Sequence, residues 1–128
     1  MTPPYVSLTG DAVHLPVTVA PVQSKSDLRA FVDFPFALYD GNRNWVPPLR
    51  RDVYHLLDAH KNAFFEHGTI QPFLARGADG TVVGRIAAIQ NGMHLERYDD
   101  GVGFFGFFET VEHADVAKAL LDAAAGFL

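Results

Sequence analysis

Glu109 is the residue with the clearest chemical potential, because it ends the apolar run VGFFGFFE at residues 102–109. A carboxylate at the end of such a strand can take a proton from an attacking ammonium group, directly or through water. The structural alternative is an ion pair with Arg85, which lies on an otherwise apolar strand face and needs a partner there. The sequence leaves both interpretations of Glu109 open.

The sequence lacks the residue patterns that other catalytic chemistries require. The chain contains no cysteine, which excludes a thiolate metal site and a cysteine nucleophile. Six histidines are present, but His55 and His60 are five residues apart and do not share one helical face, and no HExxH pattern occurs. A GxSxG elbow and a P-loop are also missing from the sequence. The sequence therefore predicts no metal site and gives no support for a serine hydrolase or a nucleoside triphosphatase.

Length and charge bound the number of domains and the class of partner. The 128 residues are enough for one ordinary domain with a hydrophobic core. Asp and Glu outnumber Lys and Arg by 15 to 10, which gives a net charge of -5, and among the basic residues only Arg50 and Arg51 are adjacent. Because this pattern contains no basic stripe, we expect no binding to nucleic acid.

The hydropathy pattern bears on the membrane. No segment of about 18 consecutive residues is apolar, so the sequence predicts no transmembrane helix. The stretch from Met1 to Ala20 also lacks a basic region followed by an unbroken apolar run, because Pro3, Pro4 and Pro16 interrupt it. The expectation is a cytoplasmic domain that does not engage a membrane.

The first half of the chain predicts a strand followed by two helices. Residues 13–22 are rich in valine, and the prolines among them favour an edge strand. Ser24, followed three residues later by Asp27, indicates the start of a helix, and Pro35 is expected to stop or kink that helix. A second helix is predicted over residues 50–59.

The second half predicts a β-hairpin, one more strand and a final helix. Residues 70–76 and 81–91 flank the turn at 77–80. The apolar run at 102–109 is typical of a central strand buried on both faces, in which the glycines allow a bulge. Apolar residues at helical spacing predict a helix that reaches the last residues. The order β-α-α-β-β-β-α indicates the α+β class, with a mixed or antiparallel sheet and flanking helices.

Three sequence phrases carry a resemblance to a known family. They are NWVPPL, the GRIAA of residues 84–88, and FFGFFE followed by VAKALLDAA. The chain from about Val13 to its last residue resembles the first half of the GNAT superfamily of N-acyltransferases. The resemblance implies a single GNAT-like domain over residues 1–128 that is incomplete at its C-terminus, because the family fold continues with a fifth strand and further elements. It also implies that the last strand has an uncovered edge, through which copies of the chain could associate.

The resemblance further implies an activity and its residues. A GNAT-like enzyme transfers an acyl group from acetyl-CoA or another acyl-CoA to an amine, here an unidentified small molecule. Glu109 is then the candidate catalytic base, and the strand at Phe107 and Phe108 is the backbone platform for pantetheine. Tyr39 and Trp45 would border the pocket for the amine.

The phosphate-binding motif of that family fits this chain only in part. The family places Q/RxxGxG/A at the start of the helix after the fourth strand, where free backbone amides and the helix dipole bind the pyrophosphate of CoA. The corresponding residues are Glu112, Asp115 and Ala117, of which Ala117 matches the motif. The two acids place negative charge beside a polyanion.

Two functions from different classes follow from the resemblance. The first is an N-acyltransferase, or its N-terminal portion, which alone lacks one wall of the cleft and is expected to be inactive. The alternative is a non-catalytic GNAT-like module for binding or assembly, with a degenerate phosphate loop.

Overall fold

A four-stranded antiparallel sheet forms the centre of the computed structural model, which describes residues 13–91 and 103–128. Within these residues the chain forms an α+β fold with three α-helices, and the sheet is open and has the order β1-β2-β3-β4. The elements are β1 (Thr18–Pro21), α1 (Lys25–Leu38), α2 (Arg50–Leu57), a 3-10 turn (Ala63–Glu66), β2 (Gly68–Arg76), β3 (Val82–Asn91), β4 (Phe104–Thr110) and α3 (Ala114–Phe127). The predicted class and element order are confirmed at this level.

Helix α1 begins at the predicted cap but does not end at its proline. The Ser24 side chain accepts a hydrogen bond from the Asp27 amide at 3.0 Å, which satisfies one of the free amides of the first turn. The helix then continues through Pro35 to Leu38, so the expected stop is wrong. Buried packing of the Phe31 side of the helix against the sheet outweighs the hydrogen bond that Pro35 cannot donate.

The predicted hairpin is confirmed, with β2 and β3 paired from Gly68 opposite Asn91 to Arg76 opposite Val82. Gly80 takes a positive φ of 85° in the connecting turn, a conformation that glycine adopts without strain. Within the part of the chain that the structure describes, the short strand β1 pairs only with β2 and so lies at one edge of the sheet, as its prolines indicated.

Strand β4 is an edge strand, which corrects the prediction of a central strand buried on both faces. Among the strands of residues 13–91 and 103–128 it pairs with β3 alone, and Phe104 and Phe105 are 42% and 55% exposed. The glycine-associated bulge is present, because the pairing of Arg85 with Glu109 and of Ala87 with Gly106 leaves two residues of β4 opposite one of β3.

The helices cover the two faces of the sheet. Alternate residues of β3 point to opposite faces, so Gly84 and Ile86 meet α3 while Arg85 and Ala87 meet α1. At Gly84 an added Cβ would lie 2.6 Å from the Leu120 side chain of α3, which is why the smallest residue stands there. None of the helices in the described ranges is both long and apolar enough to cross a membrane.

Candidate functional site

The register between β3 and β4 sets the position of the candidate base. Glu109 lies directly opposite Arg85, so both side chains project from the sheet face that α1 covers. This face is otherwise apolar, with Leu74 and Ala87 fully buried beside them. Two opposite charges therefore stand next to each other beneath a helix.

Tyr39, directly after α1, gives the Glu109 carboxylate its hydrogen bond. The Tyr39 hydroxyl donates to Oε2 of Glu109 across 70 residues of sequence. The Tyr39 ring stacks on Trp45 with centroids 5.3 Å apart and planes 27° from parallel. Trp45 in turn packs edge-on against Phe36 at 5.2 Å. The structure thus brings together three residues that the sequence analysis selected separately: Tyr39, Trp45 and Glu109.

Arg85 is anchored on a backbone carbonyl that Pro35 leaves free. In a regular helix the amide of residue 35 would donate to the carbonyl of Phe31, but proline has no N–H. Nη1 of Arg85 donates to that Phe31 carbonyl oxygen at 2.8 Å. The side chain is 5% exposed, and in the part of the chain that the structure describes its Nε has no hydrogen-bond partner.

Aromatic rings enclose the Arg85 guanidinium. Its carbon lies 4.8 Å from the centre of the Phe31 ring and 5.5 Å from that of Phe107. Ring faces carry negative partial charge and attract cations, which offsets part of the cost of burying the charge. Arg85 and Glu109 attract each other as opposite charges, as the structural interpretation of the sequence expected. The hydrogen bond to the Glu109 carboxylate, however, comes from Tyr39.

Burial shifts the pKa of both groups that surround Glu109. Desolvation lowers the pKa of Arg85 to about 10, although its attraction to Glu109 works in the opposite direction. Desolvation, together with the hydrogen bond to Glu109, raises the pKa of Tyr39 to about 12. At neutral pH the guanidinium is therefore cationic and the phenol keeps the proton that it donates.

Phe107 and Phe108 form the bulge that comes just before Glu109. Phe107 has a φ of 54°, in the left-handed region that non-glycine residues rarely adopt. Its ring packs on Phe31 at 5.9 Å, whereas Phe108 packs on Phe105 at 5.9 Å and against the α3 side of the core. The two side chains therefore leave opposite faces of β4.

Ala117 lies apart from this group, on the helix that covers the other face of the sheet. Its amide donates to the His113 carbonyl oxygen at 3.2 Å, within the first turn of α3. Glu112 and Asp115 are exposed around that helix start, and His113 supplies no side-chain hydrogen bond to it. The described residues also contain no cluster of three or more His, Asp or Glu side chains that could hold a metal ion.

Curated relatives match most of this chain. Protein YghO of Escherichia coli (strain K12) is 39% identical over 105 residues, which are 82% of this chain and 26% of that protein. The bacterial ceramide synthase of Caulobacter vibrioides is 31% identical over 120 residues, which are 92% of this chain and 31% of that protein. The chain thus spans less than a third of the length of either relative. No family model matches it, and no solved structure does.

The sequence analysis missed the roles of Phe31 and Pro35. A proline inside a helical pattern frees the carbonyl four residues earlier, so Pro35 marked Phe31 as an open acceptor. Nothing in a single sequence links that acceptor to Arg85, which is 54 residues away. The contact between Tyr39 and Glu109 was equally hidden, although both residues were candidates.

Proposed function

We propose that this chain is a GNAT-like N-acyltransferase or its N-terminal portion, and that the enzyme transfers an acyl group from an acyl-CoA to an amine. The observation that carries the proposal is the position of Glu109. It stands directly after the β4 bulge, with one carboxylate oxygen held by Tyr39 and a buried cation beside it. In the described contacts the other oxygen, Oε1, stays available for a proton of the acceptor.

The chemistry follows from that arrangement. The acceptor ammonium gives a proton to Glu109, directly or through water, and its nitrogen lone pair then attacks the thioester carbonyl carbon. The carbon–sulfur bond breaks as the amide forms, and the departing sulfur becomes a thiol by taking up the second proton that the nitrogen releases. The hydrogen bond from Tyr39 fixes the orientation of the carboxylate for the first of these steps.

The backbone of β4 fits an extended donor arm. A bulge leaves the extra residue outside the ladder, and an edge strand presents a row of unpaired N–H and C=O groups. Both features occur in β4 within two residues of Glu109. A pantetheine arm that carries amide groups can pair with such an edge at Phe107 and Phe108 as an added strand would.

The name of one relative supports amide formation as the reaction class. A ceramide is an N-acylated amine, and the bacterial ceramide synthase matches 92% of this chain. Because the chain spans 31% of that protein, the acceptor and the acyl chain of this protein stay open. A cationic amine fits the Tyr39–Trp45 aromatic pair and the net charge of -5.

The first test is titration calorimetry of acetyl-CoA into the folded chain. Micromolar binding supports the acyl-CoA site. Because the 128 residues alone are expected to be inactive, the amide product is then sought by mass spectrometry, with a panel of amines, in a longer chain that supplies the other wall of the cleft. Glu109→Gln should lower the rate of amide formation by roughly 10² to 10⁴ while leaving acetyl-CoA binding within about twofold. Glu66→Gln, an exposed acid in the 3-10 turn, is the matched control and should keep the wild-type rate.

A second candidate function is a non-catalytic binding or assembly module. The exposed acids Glu112 and Asp115 at the start of α3 favour it, because they repel a pyrophosphate from the helix N-terminus. This alternative predicts no heat with acetyl-CoA from a folded sample. If these two acids alone prevent acetyl-CoA from binding, the double variant Glu112→Gln and Asp115→Gly should bind acetyl-CoA.

A further inference from the structure

A groove of about 550 Å³ runs along α1 and is also bordered by Arg50 of α2 and Val82 of β3. The residues that line it include Arg29, Ala30, Phe34, Phe36, Ala37 and Val82. Tyr39, Arg85 and Glu109 do not line this groove. It is therefore a separate concave surface that acyl transfer at Glu109 does not use.

The groove has the size and lining of a site for a small organic molecule. Such sites measure roughly 300 to 1,000 Å³ and are mostly apolar, with a few polar groups that fix orientation. Here Ala30, Phe34 and Ala37 recur at helical spacing and supply an apolar floor along α1. From Ser26 to Ala37 the helix rises about 16 Å, so the groove is long rather than round.

Charge gives the groove a direction. Arg50 is already neutralised by Asp33, since its Nε lies 2.9 Å from Oδ1, and its guanidinium covers the Phe36 ring at 3.6 Å. Arg29 has no ion-pair or hydrogen-bond partner among the described residues, and it lies in the N-terminal half of α1. Asp40 lines the opposite end, beyond the last residue of the helix.

These features define the ligand. The Arg29 end attracts an anionic group, and the helix dipole adds positive potential at the same end. The Asp40 end repels an anion, so only the apolar part of a ligand can extend toward Phe36 and Ala37. We propose that the groove binds a single-chain fatty carboxylate, with its head at Arg29 and its hydrocarbon chain along the apolar floor.

A free amphiphile fits this surface better than a membrane does. A bilayer meets a flat or convex face, whereas this surface is concave. The net charge of -5 also repels an anionic bilayer, while a monomeric carboxylate needs only the local charge of Arg29. The proposal therefore commits to the monomeric ligand.

Trp45 reports on the groove, because it is the single tryptophan of the chain and its ring packs against Phe36 at 5.2 Å. We expect dodecanoate, titrated below its critical micelle concentration, to change Trp45 fluorescence in a saturable way. Affinity should rise by up to about fourfold for each CH₂ added between octanoate and dodecanoate. Dodecyltrimethylammonium has the same chain with a cationic head, and the concentration at which it displaces dodecanoate should exceed the dodecanoate Kd at least about tenfold.

Two variants test the assigned contacts. Arg29→Glu should weaken dodecanoate binding about fivefold to tenfold, while Arg51→Glu, an exposed arginine outside the groove, should leave it unchanged. Ala37→Phe fills the floor and should weaken binding of the longest chain most. Circular dichroism establishes that each variant is folded.

The proposal fails if dodecyltrimethylammonium displaces dodecanoate at concentrations equal to the dodecanoate Kd, or if Arg29→Glu binds dodecanoate as the wild-type chain does. A lack of chain-length dependence would also overturn it, because the apolar floor would then take no part. Binding only to dodecanoate-containing vesicles, with no response to the monomer, would assign the surface to a membrane instead. None of these results depends on acyl transfer, so Glu109 and the groove are tested separately.

Discussion

At the scale of single residues, the centre of the molecule is a buried guanidinium that is only partly compensated. Arg85 is 5% exposed, donates to the Phe31 carbonyl oxygen and attracts Glu109, yet its Nε has no partner within the described ranges. Removing a charge from water costs several kcal/mol, and each surrounding contact recovers part of that cost. Such an arrangement is typical of a functional site rather than of a core built for stability alone.

The Tyr39 phenol gives a direct measure of this environment. Its pKa is raised to about 12, first by desolvation and then by the hydrogen bond to Glu109. A raised pKa means that the folded state holds the proton more tightly than the unfolded state, so this contribution to stability is present below pH 10 and is lost as the pH rises through 12. We expect the tyrosinate absorbance of the wild-type chain, minus that of Tyr39→Phe, to titrate near pH 12.

Two variants separate the causes of that shift. Glu109→Gln removes the negative charge beside the phenol and should move the difference titration back toward the ordinary value of 10. Tyr54→Phe, a tyrosine of α2 that is not in contact with Glu109, should leave it in place. A Tyr39 midpoint at 10 in the wild-type chain would show that the phenol is not held on the carboxylate.

Candidate residues could be selected from the sequence, but the contacts between them could not be predicted from it. Glu109 stood out because it ends an apolar strand, whereas Tyr39 and Trp45 were selected through the resemblance, as residues that would border the pocket for the amine. Their mutual contact depends on how α1 crosses the sheet, which periodicity does not specify. Ala117 was selected from its position in the motif at the start of the last helix. The structure puts that helix on the face of the sheet opposite Tyr39 and Glu109. Only a ligand that wraps around the sheet edge could therefore touch both Ala117 and Glu109.

At the scale of elements, Pro35 links the helix to the sheet. Its missing N–H leaves the buried Phe31 carbonyl without its intrahelical donor, and Arg85 from β3 fills that place. A proline in the interior of a helix usually destabilises it by about 3 kcal/mol. Here the proline also leaves the Phe31 carbonyl oxygen free to accept the hydrogen bond from Arg85, whereas a regular helix would already use that oxygen.

This link predicts a measurable coupling. In Arg85→Met the Phe31 carbonyl is buried without a donor, and adding Pro35→Ala supplies an amide for it. We therefore expect Pro35→Ala to raise the free energy of unfolding by about 1 to 2 kcal/mol more in the Arg85→Met background than in the wild-type chain, as measured by urea denaturation. Arg76→Met is the matched control, because Arg76 binds Asp27 of the same helix at 3.2 Å but not Phe31. Additivity in both cycles would show that Pro35 and Arg85 do not share the carbonyl.

At the scale of the whole molecule, local patterns predicted the element order but not the place of the last strand. The turn at 77–80, the Ser24 cap and the helical spacing of α3 are local signals, and the structure follows them. The phenylalanines of β4 indicated a strand buried on both faces, yet β4 has one neighbour among the described strands, and Phe104 and Phe105 are exposed. An apolar run predicts that a strand is buried, but it does not predict which helix, strand or partner chain covers it.

The open edge of β4 therefore predicts that copies of the chain associate. Among the described strands β4 pairs only with β3, Phe105 in it is 55% exposed, and neither a proline nor a charged side chain lies in its Phe104–Phe108 part. We expect sedimentation velocity to show a weight-average mass that rises with concentration, and Phe105→Lys to shift the chain to monomer.

Leu49→Lys is the matched control, since Leu49 is 61% exposed and lies in a loop away from β4. Both variants bring the net charge from -5 toward zero, which weakens repulsion between copies, so loss of association in Phe105→Lys alone must come from the strand edge. A wild-type chain that stays monomeric at every concentration, or equal loss of association in both variants, would assign no pairing role to this edge.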